Sequence, residues 1–387
     1  MMERGFIAFS DYTGTADVQF LKNGKYFEAR PVRSPVIFKG VPMFSSILSI
    51  WRARVPGVLS ACVAASCAVA EPLVYEGTQG PGLGRNVVLI ASDHEYKSEE
   101  ALPQLARILA RHHGFRCTVL FGLDPATGNI TPGESNIPGT EALRDAHLLV
   151  LSTRFQNLPD AQMQPIADYL KRGGPVVGLR TSTHAFRIPK DRAFAKFDFA
   201  YKGADFTGGF GRQILGETWV GHYGPNHKSS TRLDLVPGRA GHAILAGVTN
   251  AWAEIGAYHA DPIAGSEVLA MAQPLAGMRP DSPADETRKP VPGVWVRNYS
   301  YEGGPSARVF TTTYGASGDL ENDGFRRMLV NGCFWAAGLE AAIRPDLETA
   351  IVGPYRPSWM KGRTRAAAVK PQDLAGWDTP VWPEESK

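Results

Sequence analysis

Three apolar runs in the middle of the chain are separated by amphipathic segments, and each run ends in a cluster of reactive polar side chains. Asn86 to Ile90 leads into Ser92, Asp93, His94 and Glu95; Leu148 to Leu151 leads into Thr153 and Arg154; Pro175 to Leu179 leads into Arg180, Thr181, Ser182, Thr183 and His184. Unbroken apolar runs bounded by turn residues are the pattern of strands covered on both faces. Between them, Ser98 to His113 places Leu102, Leu105, Ile108 and Leu109 in one stripe, with Glu99 and Glu100 at its start and Gly114 at its stop. That pattern predicts an amphipathic helix. Pro159 to Arg172 reads the same way: Pro159 and Asp160 begin it, Met163, Ile166, Tyr169 and Leu170 share a face, and Gly173-Gly174 ends it. With a further strand at Cys117 to Phe121, the alternation is that of a doubly wound α/β sheet. Right-handed crossovers then lay the three runs parallel with their polar ends on one edge, the edge where open α/β sheets hold their sites.

The remaining pattern is less regular. Asp124 to Gly139, rich in Gly, Pro, Asn and Thr, is a long excursion of the kind that tends to be functional in compact domains. Arg187 to Pro225 reads as an insertion lying over the sheet edge. Strands are predicted at Ser230 to Val236, Glu267 to Ala272, Val294 to Asn298 and Ala307 to Thr313, followed by a closing helix from Asp323 to Gly338. The globular domain is placed at 85–340, after the glycine-rich Gly77 to Gly84. Residues 341–387, rich in Pro and Trp, are read as a tail that wraps the surface or stays mobile. The chain has no internal repeat.

Composition narrows the function classes. With 43% hydrophobic residues in 387, the chain can bury a large core and does not have the make-up of a disordered protein. Its 41 basic and 38 acidic residues are interspersed, which argues against a nucleic-acid partner. Met43 to Ala70 resembles a secretory signal, with Arg52 and Arg54 before an apolar stretch too short to span a bilayer and an Ala68-Val69-Ala70 cleavage site. Residues 1–42 then form an extension ahead of a true start at Met43, and the mature protein is expected to be periplasmic or secreted. Leu59-Ser60-Ala61-Cys62 resembles a lipobox, but Arg54 sits too close to leave it a proper apolar region. Cys117 and Cys333 are expected to be buried apolar thiols, since neither belongs to a CxxC pair.

Candidate chemistry gathers at the predicted edge. His94, Glu95 and His184 are the acid–base candidates, and Arg154 and Arg180 are clamps for an anionic or polyhydroxyl substrate. Ser182 can serve as nucleophile or ligand if a base lies beside it; the alternative is that Thr181, Ser182 and Thr183 satisfy backbone groups at the turn. Trp219, His222, Tyr223 and Tyr258 mix imidazole with aromatic faces, which suits a sugar ring and its hydroxyls. His222, His227, His259 and Asp261 could in principle bind zinc, but they lack close ligand pairing, and no metal is assigned. Gly208, Gly209 and Gly211 follow no strand, so no nicotinamide or flavin cofactor is assigned.

The strand exit with His94, the Val-Val-Gly-Leu-Arg exit with His184, Gly208-Gly209 followed by Gly221-His222, Arg308-Val309-Phe310, Phe325-Arg326-Arg327 and Trp335-Ala336-Ala337-Gly338 together resemble the ThuA-like (trehalose-utilisation) family, from about Asn86 to Leu339. The resemblance implies a flavodoxin-like, class I glutamine amidotransferase-like three-layer sandwich with a mostly parallel sheet, and a role in bacterial sugar breakdown. Glutamine hydrolysis is rejected, because the turn after Leu179 lacks the cysteine nucleophile of the amidotransferases. Tyr223-Gly224 follows His222 where the family usually has proline, which points to a subgroup with its own substrate. Two functions follow: an exported enzyme hydrolysing or isomerising a carbohydrate or keto-sugar by acid–base chemistry, or a non-catalytic carbohydrate-binding or scaffold domain.

Overall fold

The structure, a computed structural model, describes residues 71–363 and 365–384; the predicted extension (1–42) and signal segment (43–70) lie outside the described residues. In chain order the elements are β1 (Leu73–Glu76), β2 (Asn86–Ser92), α1 (Ser98–His113), β3 (Arg116–Phe121), β4 (Leu148–Thr153), α2 (Asp160–Lys171) and β5 (Val176–Leu179). After the irregular insertion come β6 (His222–Tyr223), β7 (Thr231–Leu235), β8 (Trp252–Ala253), β9 (Ala257–Tyr258), β10 (Glu267–Pro274), β11 (Val291–Tyr299), β12 (Ala307–Thr312) and α3 (Asp323–Ala336). The predicted strands and helices are all present, with ends shifted by a few residues at most.

Ten strands form one sheet in the order β1-β3-β2-β4-β5-β12-β11-β10-β7-β8. Its centre, β3-β2-β4-β5-β12, is parallel, and the flanking strands are antiparallel. Counted along the chain, these five run in the order 2-1-3-4-5, so the strand order reverses beside β2, between β2 and β4. Both faces are covered. Val87 and Leu89 join one core with Leu102, Leu105 and Leu109 of α1 and Leu329 of α3, whereas Val88 and Ile90 join a second with Met163, Ile166 and Leu170 of α2. Successive strand side chains point to opposite faces, which is why the run at 86–90 had to be apolar throughout. Gly114, at φ 82, stops α1: its N–H donates to the Ala110 carbonyl and the next N–H, of Phe115, to the Leu109 carbonyl.

The fold reaches past the predicted 85–340 on both sides. β1 pairs antiparallel with β3, and its isolated four residues were too short to register as a pattern. The segment after 340 packs against the core through Trp359, Val369, Leu374 and Trp382, each less than one-tenth exposed. Arg365 forms ion pairs with the buried Glu99 (2.9 Å) and Glu100 (3.1 Å), and Ser358 donates its N–H and hydroxyl to Glu100. The two glutamates at the start of α1 therefore hold this segment and are not merely complements to the helix dipole. Cys117 and Cys333 are free, buried thiols within one core, as expected. No helix among the described residues is long and apolar enough to cross a membrane.

Candidate functional site

The carboxyl ends of β2, β4 and β5 meet at one edge, as the three polar exits required. The backbone there is strained. Of seven non-glycine residues with positive φ among those described, Lys97 (60), Phe155 (53), Arg180 (42) and His227 (62) lie at or beside these exits. Such conformations cost about 1–3 kcal/mol each and tend to gather where function requires them.

Arg180, directly after β5, is wholly buried and pairs with no carboxylate among the described residues. It donates to the carbonyls of Gly256 (2.7 Å) and Thr313 (2.9 Å) and to the Tyr96 hydroxyl oxygen (3.0 Å). Its guanidinium also lies 3.7 Å from the ring centre of Tyr258 and 4.5 Å from that of Tyr96. Because arginine can only donate, the Tyr96 hydrogen is not spent on it and is available to an acceptor, and His222 Nε2 lies 3.3 Å away. Burial raises the Tyr96 pKa and Arg180 pulls it back down; burial and then Arg180 lower that of His222, which favours a neutral imidazole able to accept. His222 is held there by its pairing across the β6–β9 ribbon with Tyr258.

A second group lies at the β2 and β4 exits. Arg154 Nη1 contacts His94 Nε2 at 2.8 Å and Glu95 at 3.0 Å, and His227 Nε2 lies 3.5 Å from the other Glu95 oxygen. The His94 Nε2 lone pair is thus occupied by a donor, and burial followed by Arg154 lowers its pKa. Beneath them Asp93 is fully buried. One of its oxygens accepts the Glu95 N–H, the other has no partner, and burial pushes its pKa up to about 6 against the pull of that N–H and of Arg154.

His184 is also buried, in a box of aromatic rings. Trp219 lies 4.9 Å away, Phe155 5.0 Å and Tyr258 6.0 Å, while Nδ1 is 3.3 Å from the Thr183 hydroxyl. Burial and the surrounding arginines push its pKa well below the usual imidazole range. It is a neutral wall of the box.

The structure thus brings together His94, Glu95, Arg154, His184, Trp219, His222 and Tyr258. Four expectations are corrected. Tyr258 is only 2% exposed, with the Arg180 guanidinium on its ring, so it lines the interior beneath the site and offers no face to a substrate. Arg180 is spent on backbone carbonyls and tyrosine rings and is not presented to a substrate. Ser182 is wholly buried and donates to the Leu151 carbonyl at 2.6 Å, so it satisfies backbone and is no nucleophile. Tyr223 neighbours His222 on a strand and so points the other way, packing on His259 at 4.9 Å and donating to the Lys289 carbonyl. His222, His227, His259 and Asp261 do not converge; among the described residues no three or more His, Cys, Asp or Glu side chains form a group able to hold a metal.

Sequence reasoning missed Tyr96, Phe155 and Trp359. Tyr96 reads as the lead-in to a helix, and only the approach of residue 222 gives it a partner. Trp359 comes from the carboxy-terminal segment and packs its ring 5.7 Å from those of both Tyr96 and His227.

No family model and no curated protein matches this chain. Solved structures similar to it include a ThuA-like protein from Parabacteroides merdae, with 16% identity over 71% of this chain and 95% of that one at a TM-score of 0.40. Another is a ThuA-like protein from Bacteroides uniformis, with 14% identity over 71% of this chain and 100% of that one, also at 0.40. Both carry the family description that the sequence resembles. Likeness at this level does not bear on function.

Proposed function

We propose that the chain is a carbohydrate-processing enzyme that hydrolyses or isomerises a sugar or keto-sugar by acid–base chemistry, in an exported, ThuA-like setting. The observation that carries this reading is the directed chain from Arg180 through Tyr96 to His222. A donor that never loses its proton orients a phenol toward an imidazole, at the reversal of strand order where doubly wound sheets bind ligands. A proton given up from His222 Nδ1 is replaced at Nε2 by Tyr96, whose developing negative charge faces Arg180. The half-buried Trp219 supplies a face for a sugar ring, and Arg154 and Glu95 polar groups for its hydroxyls. Proton transfer therefore moves from His94 and His184, one capped by Arg154 and the other enclosed, to His222. The 2-1-3-4-5 order of the parallel strands and the helices on both faces support a flavodoxin-like, amidotransferase-like sandwich.

The enclosed His184 and the occupied His94 Nε2 favour a second reading, a carbohydrate-binding domain without turnover. A panel of glycosides and keto-glycosides assayed by product detection and by binding, with wild type, Tyr96→Phe and His222→Ala, separates the two. The enzyme reading expects about 100-fold or greater loss of turnover with binding retained. Binding without turnover in the wild type establishes the second reading, and turnover that survives both substitutions sinks the first.

A further inference from the structure

Arg187 stands at the rim of this site and fell outside every predicted role. Its guanidinium carbon lies 3.9 Å from the centre of the Phe155 ring and 5.6 Å from that of Phe199. Arg154 lies on the same Phe155 ring at 4.9 Å, so one phenyl group carries two guanidinium ions. Phe155 reaches this position only by adopting a left-handed backbone, φ 53, which is costly for a bulky side chain. The ion pairs of this edge join Glu95 to Arg154 and to His227, and Arg187 belongs to neither. Arg187 is exposed and has no carboxylate partner among the described residues.

With Arg180 buried nearby, three guanidinium groups gather around His184, and of these Arg154 alone has a carboxylate partner, Glu95. The excess of positive charge is felt by His184, whose protonation Arg154, Arg180 and Arg187 all oppose. Gathering like charges is unfavourable unless an anion completes the group. Stacking engages the flat faces of a guanidinium and leaves its edge N–H groups free, oriented for two parallel bonds to an oxyanion.

We propose that Arg187, with Arg154 beside it on the Phe155 ring, clamps an oxyanion group of the substrate, so that the carbohydrate taken by this site is acidic, bearing a carboxylate or a phosphate ester. The proposal rests on the carbohydrate reading above and names its substrate class. Arg187 is then a specificity-determining residue, and Phe155 is strained in order to hold the clamp rigid.

Isothermal titration of the full chain with D-gluconate, D-glucuronate, glucose 6-phosphate and D-glucose tests this, using wild type, Arg187→Ala and Arg187→Lys. Wild type is expected to bind at least one acidic sugar about tenfold or more tighter than glucose, the carboxylates and the phosphate ester identifying which oxyanion is read. Arg187→Ala should abolish that preference and Arg187→Lys restore part of it, since lysine keeps the charge and loses the fork. Because Arg187 is exposed, both variants should melt as the wild type does. Glucose bound as tightly as its acids, or a preference that survives Arg187→Ala, overturns the clamp and leaves the carbohydrate reading in place. Citrate and phosphate bound through Arg187 as tightly as the acidic sugars would keep the clamp and overturn the carbohydrate reading. No binding by any of these probes overturns the clamp.

Discussion

Replacing Asp93 by Asn should make the protein more stable at neutral and alkaline pH. Asp93 is fully buried, one of its oxygens lacks any partner, and its pKa rises from 3.8 to about 6 on folding. A carboxyl group with a raised folded pKa leaves stability intact below its unfolded pKa and lowers it as pH rises through the folded value. The shift of roughly two units corresponds to about 3 kcal/mol of destabilisation at pH 8 and about 1 kcal/mol at pH 4.5. Asparagine keeps the oxygen that accepts the Glu95 N–H and replaces the orphan oxygen with a donor that the neighbouring Thr181 hydroxyl can accept. Urea unfolding of wild type and Asp93→Asn at both pH values should show the variant ahead by about 3 kcal/mol at pH 8, with the gap narrowing as pH falls. A variant less stable than wild type at pH 8, or a gap independent of pH, would refute the assignment of Asp93 as a costly buried acid. On the enzymatic reading proposed above, a buried acid carried at such a cost is retained for activity, and turnover should fall with the same substitution.

Arg365→Ala should leave Glu99 and Glu100 buried without their cation and cost about 3 kcal/mol or more, read as a lower urea midpoint with early protease cleavage after residue 345. An unchanged midpoint would show that the ion pair does not hold the segment. Gly211→Ala would set a new methyl carbon 2.1 Å from the Thr183 carbonyl oxygen, so a loss of about 1–3 kcal/mol is expected by thermal unfolding. Wild-type stability in that variant would mean the turn carrying His184 can shift freely.

The local part of this protein was legible in the chain itself. Apolar runs at 86–90, 148–151 and 175–179 and the stripes at 98–113 and 159–172 report secondary structure because backbone geometry converts sequence spacing directly into a buried face. The parallel packing of β2, β4 and β5 followed from the handedness of their crossovers, and with it the common edge holding His94, Arg154 and His184. The partners on that edge could not be read. Tyr96 meets His222 across 126 positions of sequence, and Trp359 arrives from the far end of the chain. Arg180 looked like a surface clamp and is instead buried among Tyr96, Tyr258 and two carbonyls. Phe155 holds Arg154 and Arg187 only through a left-handed turn that nothing in its residue type announces. Periodicity encodes which face of an element is covered, whereas the partner of a polar side chain depends on how crossovers and insertions close in space. The sequence alone therefore determined the parallel centre of the sheet and the polar edge where its strands end, and the tertiary structure decided which groups on that edge meet one another and which are locked away.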